Sequence, residues 1–319
     1  MNLSMVAGMA MAIVTGFTWV VVGVVSSGTA RRGANYALVQ WLTQMLGMVA
    51  VAGILAFKGA APFREAFVPG MKCLWATLAF AGFGFINYYM LAAMNEAMRR
   101  GPHGMAWTIT QSGFILPFLM ICVVFPGRAG LTAWRAIGIL AILFNVVVDG
   151  VSKGSSSDGG KSSSKSWFWI ALLALFLCGA NQCCAELPSY LPEGAYSERL
   201  GVEGRMAWSG IGALIAWAIH AIFRSGPRRL AAPWPEFRAA LLGALAITVV
   251  NTAVSYFLFY PCMDRLADAG VGAIAHPLMV GACFCGFFIY SAFFLRERTT
   301  ALQKIGFAVG LAGVALQCL

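Results

Sequence analysis

Charge is what this sequence has least of. Of its 319 residues, 11% are Asp, Glu, Lys or Arg and 60% are apolar, and the mean hydropathy is +0.78. Soluble domains carry about 25% charged residues, so a soluble globular domain is excluded. Almost no carboxylate, and no Lys or Arg, stands near the centre of an apolar stretch. A site for organic anions, which wants a fixed cation, is therefore missing. Catalytic motifs are missing too: HExxH, GxGD and the Asp-rich prenyl-diphosphate pattern are absent, which argues against an intramembrane enzyme. There is no Gly-rich phosphate loop, so this chain alone has no means of ATP-driven pumping. Nor are there the repeated charge or carbonyl motifs of a channel filter. None of the nine cysteines forms a CxxC pair, and all lie in or beside apolar stretches. They read as small buried hydrophobes, with no metal site expected.

What remains is apolar sequence. A bilayer core of about 30 Å needs roughly 20 mostly apolar residues per helix. Ten such stretches occur, near 3–27, 34–57, 71–94, 102–125, 131–149, 166–188, 205–223, 238–260, 269–295 and 300–318. The first has no preceding basic residue and is too long for a cleaved signal, so it counts as a span. We expect an all-α, multi-pass integral membrane protein of ten transmembrane helices. The net charge of +10 comes from Lys and Arg between spans. Membrane orientation and anionic lipid account for them there, and no nucleic-acid partner is expected.

A Ser/Gly/Lys-rich linker at 151–165 divides the chain into two five-helix halves, 1–150 and 166–319. Each half carries the same short text before its last helix: "RAGLTAWRAIG" at 128–138 and "RERTTALQKIG" at 296–306. Thr132, Ala133, Ile137 and Gly138 recur as Thr300, Ala301, Ile305 and Gly306. At the same offset Tyr88 falls on Tyr256, Glu96 on Asp264 and Gly104 on Gly272. An odd helix count per copy makes the second copy enter the membrane in the opposite sense. The expected architecture is two inverted five-helix repeats with a site between them near the bilayer midplane, which is the mechanical basis of alternating access. Of the 22 Lys and Arg residues, 14 lie in the odd loops, which puts both termini outside and the linker in the cytoplasm.

Polar side chains inside hydrocarbon are costly unless they meet a partner or a cavity. The inventory near span centres is amide, hydroxyl and aromatic: Thr15, Thr18, Trp19, Gln40, Gln44, Asn87, Tyr88, Trp107, Thr110, Gln111, Asn145, Asn181, Gln182, Asn251, Ser255 and Tyr256. Spacings of three and four put Gln40 with Gln44, Trp107 with Gln111, and Asn251 with Ser255 on shared helix faces. Interhelical hydrogen bonding uses the same residue types. As a set they exceed what packing needs, and the candidate substrate-binding residues are Gln44, Asn87, Tyr88, Trp107, Gln111, Asn181, Gln182, Asn251 and Tyr256. Amides and hydroxyls beside aromatic faces suit a small neutral polar solute such as a sugar. The candidate ion-coupling residues are Glu96, Asp264, Glu186 and His276, with Asp149 a further carboxylate closing helix five. Glu96 and Asp264 have the alternative of pairing with neighbouring Arg99, Arg100 or Arg265. Pro277 calls for a break in helix nine and Pro117 for a kink in helix four, which makes these two helices the expected cavity walls.

The stretch "FLRERTTALQKIGFAVGLAGVAL" at 293–315 and its counterpart in the first half resemble the drug/metabolite transporter superfamily. That superfamily has a short Glu-containing turn followed by a Gly-rich closing helix. The resemblance spans essentially the whole chain and implies two five-helix repeats and carrier activity. It departs from the EamA-type exporter pattern at Gly127-Arg128-Ala129, which lacks the Glu, and at Thr18-Trp19-Val20. The early basic turn Arg31-Arg32 and "GFINYYML" at 84–91 are similar to the L-rhamnose–proton symporter branch. This implies uptake of a sugar with a proton or Na⁺, export of amino acids or related metabolites being the alternative. No cofactor beyond a coupling ion is expected, and partners are a small solute and the lipid bilayer of a bacterial inner membrane. The chain is expected to act as a monomer or homodimer.

Overall fold

A computed structural model of the chain describes residues 3–32, 35–68, 73–125, 132–151, 166–190, 200–225, 233–297 and 300–318. Arg128 and nearly all of the linker lie outside these residues, as does the side chain of Asp149. Every regular element described is helical. The long helices are α1 (Leu3–Arg32), α2 (Tyr36–Lys58), α3 (Leu74–Arg100), α4 (His103–Val124), α5 (Ala133–Val151), α6 (Ser166–Tyr190), α7 (Val202–Phe223), α8 (Trp234–Asp268), α9 (Gly272–Leu295) and α10 (Ala301–Gln317). Eight of them are long and apolar enough to cross a bilayer; α5 and α10 are shorter apolar helices. The chain is an all-α, multi-pass membrane protein. A short helix, Ala60–Phe67, follows α2 and is tied to α7 by the Trp208 indole, which donates to the Ala66 carbonyl at 3.0 Å.

The echoed text has a local structural meaning. Thr300 caps α10 by accepting from the Gln303 amide at 3.2 Å, while the Gln303 side chain accepts from the Thr300 amide at 2.7 Å, a reciprocal capping box. In the first half the Thr132 hydroxyl accepts from the Arg135 amide, also at 3.2 Å, just before α5. The repeated glycines serve packing. Gly138 of α5 lies against the backbone of Gly313, and Gly306 of α10 lies against Val148 and Asn145. Small residues let helices approach in lipid, where no hydrophobic effect drives them together, and α5 packs closely on α10.

Hydrogen bonds sort the helix ends. At one end, called here the linker end, Glu236 of α8 accepts from the Asn35 amide before α2 (3.3 Å). There too Glu297, in the α9–α10 turn, caps α4 by accepting from the amides of His103 (2.7 Å) and Gly104 (2.9 Å) and from the Ser291 hydroxyl (2.7 Å). A carboxylate on an N-terminal turn meets both its unpaired N–H groups and its dipole. The turn itself reverses at Arg296, the one non-Gly residue of positive φ (54°) among the described residues. At the opposite, terminal end, Lys58 of α2 pairs with Glu203 of α7, and Arg205 of α7 with Asp264 of α8.

Packing is led by α3, which lies against α6 and α7, and by α1, which lies against α8 and α9; α2 packs on α7 and α8, and α4 on α6. Backbones touch where α3 crosses α7, because Gly84 faces the Ser209 carbonyl and Gly212 faces the Ala81 carbonyl with no room for a Cβ. We expect Gly84→Ala and Gly212→Ala each to destabilise the protein in detergent by about 1–3 kcal/mol through overpacking. Gly53→Ala, whose new methyl meets open space, should be neutral or stabilising by up to about 1 kcal/mol. Equal melting curves for all three variants would contradict this packing.

Candidate functional site

Midway along the helices lies a cavity of about 180 Å³, walled by α1, α2, α3 and α4 of the first half and α6, α7 and α8 of the second. A cavity of about 150 Å³ in another protein holds a benzene ring, so this one has room for a small single-ring solute. Seven of the nine expected substrate residues line it: Gln44, Asn87, Trp107, Gln111, Asn181, Gln182 and Asn251. The amides of Gln44, Asn87, Gln111 and Asn251 have no hydrogen-bond partner among the described residues. Asn181 donates to the Phe83 carbonyl at 2.8 Å, which leaves its buried Oδ1 unpaired. Such orphaned groups in an apolar interior each cost free energy that a hydrogen-bonding solute recovers. Among the described residues, no Asp, Glu, Lys, Arg or His lines the space.

Aromatic faces complete the walls. Trp19, Phe83, Phe259 and Tyr260 join Trp107, whose ring stacks on Phe287 with centroids 4.8 Å apart. Regular helix gives way at two of these walls. In α4 the turn Ser112–Phe114 is 3₁₀, directly after Gln111, and Pro117 withholds the N–H that Gly113 would have bonded. In α8 the turn Ser255–Phe259 is π-helical, with Ser255 and Phe259 both in the wall and Pro261 just beyond. Such wide and tight turns re-aim side chains, and they are frequent at functional sites.

Helix nine differs from expectation. It does not break at Pro277 and does not line the cavity. After a 3₁₀ turn, Gly272–Ile274, its α-helical part begins at Ala275, so Pro277 falls in a first turn, where a missing N–H is harmless. The expectation of α4 and α9 as walls is corrected to α4 and α8. Still, α9 reaches the site through His276, whose Nε2 lies 2.7 Å from Gln182 Oε1. Its Nδ1 lies 2.6 Å from Glu186 Oε2, off the hydrogen-bond axis. His276 and Glu186 are 1% and 2% exposed.

Four expected residues stand elsewhere. Tyr88 is packed in the core with its ring edge-on to Tyr89 and His220, and its carbonyl accepts from Gln40. Tyr256 turns away from the cavity and donates to Glu203 at 2.9 Å. Glu96, 36% exposed at the end of α3, pairs with Arg100 (2.6 Å) and Arg99 (3.5 Å). Asp264 pairs not with Arg265 but with Arg205, at 2.9 Å, and accepts from Ser189 at 2.8 Å. Sequence reasoning missed Thr43, Ser209, Thr248, Thr252 and Tyr260, which line the cavity. It also missed Arg205, 2% exposed, which donates to the Leu200 carbonyl at 2.8 Å beneath the rings of Phe80 and Tyr260. A sequence signal existed only for Thr43, beside Gln44, and Thr248, three before Asn251.

Removing one member of a buried ion pair strands the other charge at a cost of about 3–5 kcal/mol. Asp264→Ala should therefore lower stability by about 3 kcal/mol, Asp264 being itself partly exposed, and its unfolding in detergent micelles measures the loss. An unchanged melting temperature would show that Arg205 does not depend on Asp264.

No known family profile matches the sequence, and no curated protein matches it. Its fold does have relatives among solved structures. One crystal structure aligns over 98% of this chain and 96% of its own, at 16% sequence identity and a TM-score of 0.59. That likeness concerns the fold alone.

Proposed function

We propose that the protein is a secondary transporter that moves a small neutral polar solute, foremost a sugar, by alternating access of two halves. One observation carries the reading: a mid-depth cavity shared between the halves, rich in unpaired amides, flanked by indole and phenyl faces and, among the described residues, free of charged side chains. Amide donors and acceptors around a ring-sized space match the hydroxyls of a sugar, while the aromatic faces match its C–H faces. The lack of a lining cation disfavours phosphorylated and dicarboxylate cargo.

The helix pairing supports the inverted-repeat reading. Adding five to each helix number in the first half, and subtracting five in the second, turns α3 on α6 into α8 on α1, α3 on α7 into α8 on α2, and α4 on α6 into α9 on α1. All of these pairs pack together. The pairs α5 with α10 and α2 with α7 map onto themselves, as partners across a two-fold axis would. On this reading the chain belongs with the drug/metabolite transporters in the bacterial inner membrane, with both termini outside. Glu297 holds the linker end by binding α9 to α4, and Lys58 with Glu203 holds the terminal end.

Proteoliposomes containing the protein should take up one member of a labelled panel of hexoses, deoxyhexoses and polyols saturably, driven by a proton or Na⁺ gradient. A neutral hydrogen bond is worth about 0.5–1.5 kcal/mol, so Gln111→Ala and Asn251→Ala should each raise KM about two- to tenfold with kcat less affected. Silence across the sugars, with counterflow of an amino acid instead, would replace this reading with the exporter alternative.

A further inference from the structure

We infer that Glu186 and His276 together carry the coupling proton of this transporter, and that Gln182 converts its presence into a donor–acceptor switch at the cavity wall. The inference rests on the transport reading above and names the ion and the device.

The geometry places a buried carboxyl and a buried imidazole within reach of one proton. His276 Nε2 meets Gln182 Oε1 at 2.7 Å, an acceptor as oriented, so Nε2 bears a hydrogen. Glu186 Oε2 lies 2.6 Å from Nδ1, off the hydrogen-bond axis, so a small side-chain rotation lets one proton pass between them. On this inference the loaded state holds two hydrogens on the pair, one on Nε2 and one shared by Nδ1 and the carboxyl. In it Gln182 spends its oxygen on His276, and its amide nitrogen, which has no protein partner among the described residues, is left for the cavity.

Loss of one proton to water leaves one hydrogen for a carboxylate and an imidazole. The buried anion needs it most, because an unpaired charge in an apolar interior costs far more than an unpaired imidazole nitrogen. The hydrogen therefore settles on Nδ1, facing Glu186, and Nε2 becomes an acceptor. Gln182 must then turn its amide by half a rotation to donate to Nε2, which presents its oxygen to the cavity. One proton lost changes the wall at Gln182 from donor to acceptor, and the solute's hydroxyls meet a different pattern. Affinity and protonation are linked by that exchange, as coupling demands.

The surroundings leave this pair to act alone. Cys183 on α6 and Cys262 on α8 are the thiols that feel the charge of Glu186, and a thiol carries no fixed charge near neutral pH. Asp264 on α8 also faces Cys262, but Arg205 from α7 neutralises it. Phe259 stands edge-on to the imidazole, 6.5 Å between centroids. Tyr190 on α6 and Tyr260 on α8 are buried phenols on the same elements.

Two measurements test this on the full chain. The first is ¹⁵N NMR of imidazole-labelled protein in micelles, where only three histidines contribute. As the pair gives up its proton with rising pH, the His276 signals should pass from both nitrogens protonated, or Nε2 alone, to Nδ1 alone. Glu186→Gln should abolish that exchange while leaving His103 and His220 unmoved. A His276 held in one tautomer throughout would overturn the proposal.

The second measurement uses proteoliposomes and a mixture of labelled D-glucose, L-rhamnose and D-mannitol. A gradient of about one pH unit should concentrate the transported sugar about tenfold in wild type at one proton per sugar. Glu186→Gln and His276→Gln should lose that accumulation while retaining measurable counterflow. Accumulation unchanged in both variants, or driven by Na⁺ with no proton gradient, would overturn the coupling and spare the transport reading. A wild type that moves none of the three sugars, by gradient or by counterflow, would overturn the transport reading and the coupling with it.

Discussion

The structure depends on one constraint: inside hydrocarbon no water is at hand to satisfy a backbone amide or carbonyl, nor a polar side chain. The backbone answers by being helical wherever it is described. Side chains answer in three ways. Hydroxyls bond back to their own helix, as Thr15 does to Met11, Thr110 to Ala106 and Ser112 to Thr108. Amides such as Gln40 and Asn95 bridge to the backbone of a neighbouring helix. Others converge on a shared space, where unpaired groups await a solute.

Charge obeys the same constraint by retreating to the ends. Glu96, Lys58, Glu203 and Glu297 all stand at helix termini, where partners or unbonded N–H groups receive them. Arg205 and Asp264 pair at the terminal end under two aromatic rings. Glu186 and His276 differ, because they lie buried against each other and reach the cavity through Gln182. Close approach of the backbones makes this arrangement possible. Gly84 and Gly212 let α3 and α7 meet without side chains between them, and Gly16 does the same for α1 against the Met279 carbonyl of α9. Ser209 enters the wall at the first of these crossings.

Most of the cavity was legible because an amide in an apolar run has few explanations. Gln44, Asn87, Gln111, Asn181, Gln182 and Asn251 each stood alone against hydrocarbon, and each faces the space. Tyrosine was harder to read, since its ring suits a core and its hydroxyl a rim. Tyr88 took the core and Tyr256 the rim. Arg205 was hidden because it begins a span, where arginines ordinarily reach water; only the fold reveals that Asp264, 59 residues later, waits beside it. Asp264 looked equivalent to Glu96 by repeat offset, yet one is tied into the core and the other lies at the surface. Equivalent positions in a repeat share backbone geometry, not neighbours.

By itself the sequence determined that this chain lies in a membrane, that it is helical throughout the described residues, and roughly where each helix runs. Those properties follow from local hydropathy and from caps such as Thr132 and Thr300, which act within a few residues. The sequence also determined which polar residues could not face lipid. Tertiary structure alone decided which of them meet, that α8 rather than α9 walls the cavity, and that His276 and Glu186 lie within reach of one proton. The physical reason is distance: a hydrogen bond or an ion pair is won over about three ångströms in space, and residues 94 positions apart are placed at that range only by how helices pack.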